Sequence, residues 1–178
     1  EIKSFLKTGN SDYLYGNKSY SEDQKSALSL IALHHMRHAS IDPRLLNPDL
    51  EDIGETKLRI IATEVYNTYK ESNNFKGTQA VFSDLGTPKD SFNVYSAIKR
   101  MLIEEFDVPH EEIVFIHDFK TDTKRLECFK KFNSGKYRII IGSTEKLGTG
   151  TNIQERLIRI HHVDIPHRPT DVDQRNGR

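Results

Sequence analysis

Tyr137-Arg138-Ile139-Ile140-Ile141 runs directly into Gly142-Ser143-Thr144-Glu145-Lys146-Leu147-Gly148-Thr149-Gly150-Thr151-Asn152. The first five residues read as a buried strand, and the remainder as a loop of glycines and hydroxyl side chains. Glycine lets backbone N–H groups approach a ligand closely, and successive N–H groups in such a loop suit an anion. Further on stand Gln174-Arg175-Asn176-Gly177-Arg178, whose arginines can offer a planar charged fork to phosphate. An apolar strand, a glycine-rich loop at its carboxyl end and arginines beyond it point to nucleotide or nucleic-acid chemistry at the edge of an open sheet. No Gly-x-x-x-x-Gly-Lys-Ser/Thr sequence occurs in the chain, so it carries no complete phosphate loop of its own.

Outward from this strand, apolar runs alternate with helical periods. Gln79-Ala80-Val81-Phe82-Ser83 and Ile113-Val114-Phe115-Ile116-His117 read as two earlier strands, and Leu157–Val163 as a fourth. Between them, Ser91–Phe106 carries Val94, Ile98, Met101, Leu102 and Phe106 on one helical face, and Thr121–Asn133 reads as the next helix. Strands alternating with helices of this length predict an α/β domain, a mostly parallel sheet flanked by helices with right-handed crossovers.

Upstream, Glu55–Ser72 holds a stripe of Leu58, Ile61, Ala62, Val65 and Tyr69 at helical spacing. An earlier helix is expected from the Ser-x-x-Gln capping pattern at Ser21 and Gln24 to about His38, with Leu28, Ile31, Leu33 and His35 along one side. Pro43 and Pro48 punctuate the segment between these two helices, and residues 1–20 show no sustained period. The expected organisation is a helical lead-in over 1–54 and an α/β domain over 55–178.

At 178 residues the chain is long enough for a substantial core. Lys plus Arg and Asp plus Glu balance at 26 each, so nucleic-acid binding must come from a local face rather than a global field. A single cysteine, Cys128, excludes an internal disulfide framework and suits a reducing, cytoplasmic setting. No stretch has the length of a membrane span and no signal peptide is visible, so no membrane partner is expected.

Taken together, Ser143-Thr144 followed by Gly148, Gly150 and Asn152 resembles motif V of superfamily-two helicases, particularly the Swi/Snf-like DNA translocases. Gln174-Arg175-x-Gly177-Arg178 is similar to the first half of their motif VI. Gln79–Asp84 lies where motif IV would be, and Arg125 with Phe129 or Phe132 matches an Arg-then-Phe helix. Asp164 with Pro169 resembles the Asp-x-x-x-x-Pro segment before motif VI, and Leu33–Leu46 the helix and turn leading into that lobe. The likeness is strong over 137–178 and loose from about Ala27 to there. Asp118 in place of a frequent glycine, the charged Glu145-Lys146 pair and the lack of tryptophan before motif VI depart from the pattern. They suggest an outlying branch, such as the helicase segments of bacterial helicase–DNA methylase fusions.

That resemblance implies the C-terminal RecA-like lobe of an ATP-dependent DNA helicase or translocase. ATP with Mg2+ would lie in a cleft against the first RecA-like lobe of the same protein, which would supply the metal ligands. Arg178 would be the catalytic arginine facing ATP, with motif VI continuing past it. Gly150, Asn152, Gln174 and Arg175 would line or order the cleft, while Ser83, Ser143, Thr144 and Arg125 would contact DNA. The isolated lobe would be inactive. Two alternatives stay open: a non-catalytic α/β interaction module, and an unrelated single-domain nucleotide-binding enzyme.

Other clusters carry weaker signals. His34 and His38 form an i, i+4 pair without an acidic or cysteine partner nearby in sequence, which reads as packing or surface rather than zinc. His161, His162 and His167 read the same way. Cys128 on an apolar helix face reads as a buried structural thiol. Lys120, Lys124, Arg125, Lys130 and Lys131 suit equally a DNA-backbone contact and a solvated helix face.

Overall fold

The computed structural model describes residues 21–147, 152–166 and 168–177. Among the described residues four strands form one parallel sheet: β1 (Thr78–Phe82), β2 (Ile113–Phe115), β3 (Ile139–Gly142) and β4 (Leu157–His162), in the spatial order β2-β3-β1-β4. The two central strands are buried along their whole length. That is why they are near-continuous apolar runs: a parallel sheet is covered on both faces. Alternate residues then enter different cores. Val81, Ile139 and Ile141 pack with α2 (Lys57–Glu71) and α3 (Val94–Glu104) through Leu58, Ile61, Ala62, Val65, Ile98 and Leu102. Ala80, Phe82 and Ile140 pack on the other side with Cys128, Phe129 and Phe132 of α4 (Asp122–Asn133).

Three helices start where a side-chain oxygen accepts an otherwise unpaired N–H. Thr56 caps α2 through Arg59 N, Asn93 caps α3 through Ser96 N, and Thr121 caps α4 through Lys124 N. Each such cap contributes about 1 kcal/mol. Two short helices lie at the carboxyl edge of the sheet: α5 (Thr144–Leu147) straight after β3, and α6 (Pro169–Asn176) after β4.

The second strand is shorter than its apolar run. β2 is an edge strand paired with β3 over three residues, after which Ile116–Asp118 turns as a 3-10 helix and buries Ile116. The third strand starts two residues later than expected because Tyr137 N bonds the Lys131 carbonyl at the end of α4.

The helix ahead of the domain, α1 (Glu22–Ile41), is present, but its expected stripe is not its buried face. Ile31 and Leu33 are 43% and 45% exposed, whereas Ala32 is buried. Apolar residues at 28, 30, 31, 32 and 33 encircle the helix, so no single stripe dominates. Ile41 and Leu45, in and just after α1, join the core formed by α2 and α3. Arg37 of α1 donates from Nη2 to the Ile165 carbonyl at 3.2 Å, tying the helix to the loop after β4.

Candidate functional site

β1, β3 and β4 end side by side; β1 and β3 continue directly into Ser83-Asp84 and Ser143-Thr144, and β4 reaches Asp164 after Val163. The closeness of β1 to β4 comes from a crossover that sequence order does not reveal. Asp164 Oδ2 accepts the N–H groups of Asp84 and Leu85 at 2.7 and 2.8 Å, fixing the loop after β1 to the loop after β4. Asp84 in turn accepts from the Thr144 N–H at 2.7 Å and the Thr144 hydroxyl at 2.8 Å, fixing the start of α5.

Arg175 of α6 reaches into this junction and is fully buried. A guanidinium has five N–H donors in a rigid fork, and here all five have acceptors. Nε donates to Thr144 Oγ1 at 2.7 Å, and Nη2 donates to Asp84 Oδ2 at 2.7 Å and Asp164 Oδ1 at 2.9 Å. Nη1 donates to the Asp164 carbonyl at 2.9 Å and to His162 Nδ1 at 3.3 Å. The Phe82 ring lies beneath, its centroid 5.3 Å from the guanidinium carbon. Burial alone would raise the Asp84 carboxyl. The Thr144 amide and hydroxyl and the Arg175 charge outweigh it and hold that carboxyl below its usual value.

Beside the clamp lies an open cavity of about 440 Å³, lined among others by Thr87, His117, Ser143, Lys146, Asp171 and Gln174. Burial, and then the Lys146 charge, lower the His117 imidazole, so it is neutral at pH 7. The buried Tyr95 donates its hydroxyl to the Ser83 carbonyl at 2.7 Å. Burial and the charges of Asp84 and Asp164 raise that phenol, keeping it protonated.

The structure sorts the residues singled out in the sequence. Thr144 and Arg175 are bonded to each other, and Ser143 and Gln174 line the cavity next to them. Ser83 is buried beneath, with its hydroxyl donated to the Leu85 carbonyl. Asn152 stands toward α4, where its carbonyl accepts from Asn133 Nδ2 at 2.9 Å. Arg125 donates to the Phe119 carbonyl and to Asp122 beside its own helix start. Gly150 and Arg178 lie outside the described residues.

Sequence reasoning missed Asp84 and Asp164 as the centre of the junction. Each stands two residues past a strand end, which is the available signal, but they are partners across 80 residues. Among the described residues no three His, Cys, Asp or Glu side chains group to hold a metal. Cys128 is buried and its thiol is pushed up to about 12 by burial, so it is inert.

Residues 78–178 match the sequence family described as helicase conserved C-terminal domain. The fold is similar to that of the Sulfolobus solfataricus SWI2/SNF2 ATPase C-terminal domain. That match has a TM-score of 0.61 at 16% identity, covering 91% of this chain and 66% of that one. It is also similar to the C-terminal part of the Fun30 ATPase domain, with a TM-score of 0.50 at 18% identity, covering 99% and 55%. The chain therefore spans less than two thirds of either structure. No curated protein matches it in sequence.

Proposed function

The chain belongs to the helicase conserved C-terminal domain family, and from that premise we propose that it is the second RecA-like lobe of a Swi/Snf-like, ATP-dependent DNA helicase or translocase. The observation that carries this proposal is the junction of Asp84, Thr144, Asp164 and Arg175, which locks the loops after β1, β3 and β4 to α6. One rigid edge then bears both the hydroxyl-rich turn after β3 and the arginine-bearing end of α6. A lobe that must respond to nucleotide and DNA together needs such a shared edge.

In this reading Ser143, at the cavity wall, contacts a DNA phosphate; phosphate contacts fix position without reading sequence. Thr144 acts differently from Ser143. Its hydroxyl donates to Asp84 and accepts from Arg175, so it sets the turn rather than reaching outward. Arg175 likewise has no donor left for a ligand. The charge offered to the transferring phosphoryl group is assigned to Arg178, three residues further along the sequence, where a positioned arginine stabilises developing negative charge. Gly150 and Asn152 are assigned to the interlobe cleft. The described residues offer hydroxyls and cations but no group of three His, Cys, Asp or Glu side chains for a metal, and the Asp84 and Asp164 carboxylates are taken up by Arg175. The magnesium ligands and the phosphate loop are therefore assigned to the first lobe, and DNA to the face shared by both.

The test is ATP hydrolysis with and without DNA. The chain alone is expected to be silent; DNA-stimulated turnover from it alone would overturn the half-site assignment. United with its first lobe, Arg178→Ala is expected to lower kcat by about a thousandfold, the scale of an arginine finger. An unchanged rate would instead support a lobe that has kept the fold and lost the chemistry.

A further inference from the structure

His162, the last residue of β4, contacts α6 through both of its ring nitrogens. Nδ1 faces Arg175 Nη1 at 3.3 Å, and Nε2 faces Asn176 Oδ1 at 3.0 Å. An arginine nitrogen has hydrogens only to give, so Nδ1 must be the unprotonated, accepting nitrogen. The proton of the neutral ring then lies on Nε2, pointed at the Asn176 side-chain oxygen. The ring plane is set from below by Phe82, stacked at 6.2 Å between centroids and 18° between planes. Phe82 also underlies the Arg175 guanidinium. Strand, imidazole and helix are thus registered by one acceptor, one donor and one shared aromatic floor.

We propose that His162 is a positioning residue, locked in its Nε2–H form, that sets where α6 sits along the carboxyl edge and so aims the phosphate-facing end of that helix. The inference rests on the helicase-lobe reading for its functional consequence, but its tautomer stands on geometry alone. The groups around the ring explain why the lock needs this particular form. Arg175 presses an N–H on one side, while Asp84 and Asp164 are engaged by Arg175 and by the loop amides. Exchanging the proton to Nδ1 would set two N–H groups against each other and break the contact to Arg175, which has no acceptor to offer; Asn176 would keep its contact only by turning its amide.

The first test is the nitrogen-15 imidazole spectrum of the 178-residue chain. It is expected to show His162 with an unprotonated Nδ1 and a protonated Nε2; the opposite tautomer overturns the proposal. The second uses substitutions in the protein that unites this chain with its first lobe. His162→Phe keeps the stack on Phe82 but removes both polar contacts, and is expected to lower kcat for ATP hydrolysis roughly tenfold with KM nearly unchanged, as misplaced catalytic groups do. His162→Asn restores an acceptor at the δ position facing Arg175 and is expected to recover most of that loss. A fully active His162→Phe, or a His162→Asn no better than Phe, overturns the positioning role. Arg175→Ala separates the two levels. Hydrolysis that survives Arg175→Ala refutes the helicase-lobe assignment of α6 itself. Hydrolysis lost in Arg175→Ala but kept in His162→Phe refutes the role of His162 alone.

Discussion

Two guanidinium groups are fully buried at opposite ends of the same sheet, and they are held in opposite ways. Arg138, at the amino end of β3, donates to the Gly77 carbonyl at 2.6 Å, the Tyr69 carbonyl at 3.0 Å, Ser72 Oγ at 3.0 Å and Asn73 Oδ1 at 3.2 Å. It lies 4.4 Å over the Tyr69 ring. Every acceptor is neutral; the Tyr69 carbonyl belongs to the last turn of α2, whose carbonyls lack helical partners, and Ser72 is the residue that caps that helix. Burial accordingly lowers the Arg138 guanidinium below its ordinary value. Arg175, at the carboxyl end, is clamped between two carboxylates. One arginine closes a helix end onto a strand; the other binds three loops and a helix into one edge. The charge of the acceptors, rather than burial, separates the architectural arginine from the one that organises the site.

The largest expected effect follows from that asymmetry. Arg175→Ala leaves Asp164 buried and Asp84 partly buried without their cation, a loss of about 3–5 kcal/mol for a broken buried pair. Arg175→Lys is expected to recover only a minor part, because one ammonium cannot reproduce five donors in a fixed fork. Denaturant unfolding at neutral pH measures both. The comparison breaks if Arg175→Ala costs no more than Arg138→Ala, for which the expected loss is about 2 kcal/mol, from buried neutral acceptors left unpaired.

How much of this was legible in the sequence depends on the range of the interaction. The strands and the helices α2, α3 and α4 are local patterns and stand close to where the periodicity put them, whereas Thr144–Leu147, read as part of a loop, forms the short helix α5. Thr144 and Arg175 were recognisable by type and spacing, although their mutual bond was not. Asp84 and Asp164 were invisible as partners because the crossover that makes β1 and β4 neighbours is set by the whole chain. Arg138 read as one more strand residue, since nothing local marks a cation whose acceptors come from 61 to 69 residues away. The apolar face of α1 was misassigned because its hydrophobic residues surround the helix, and propensity alone cannot say which side meets a neighbour.

Gly142 gives a smaller effect, confined to the carboxyl end. A Cβ there would lie 2.4 and 2.5 Å from Leu147 Cδ1 and Cγ and 2.7 Å from Ile116 Cγ2. Leu147 and Ile116 are both buried, so neither moves freely aside. Gly142→Ala is expected to cost about 1–2 kcal/mol by overpacking and to displace α5 with its Thr144 hydroxyl. Loss of the Thr144 contact in nuclear magnetic resonance, alongside the lower stability, would tie the glycine to the clamp. A substitution without cost would show that α5 floats free of β3.

The smallest expected effect is the pH dependence of the two ends. Asp84 has its folded value held below that of the unfolded chain. The unfolded state therefore binds more protons in that interval, and stability from this group is present above the ordinary carboxylate range and lost as pH falls through the lower folded value. His161 acts in a separate window. Burial, then Arg159 and His162, bring its imidazole down to about 4 from 6.5, so its contribution is present above 6.5 and declines toward 4. Unfolding measured from pH 7 to pH 3 should thus fall in two limbs. Asp84→Asn is expected to flatten the lower limb and leave the upper one, whereas Arg138→Ala should lower the whole curve without reshaping it, since its acceptors carry no charge. A lower limb that survives Asp84→Asn would place the acid-sensitive contact elsewhere than the clamp, and would remove the electrostatic distinction between the two arginines.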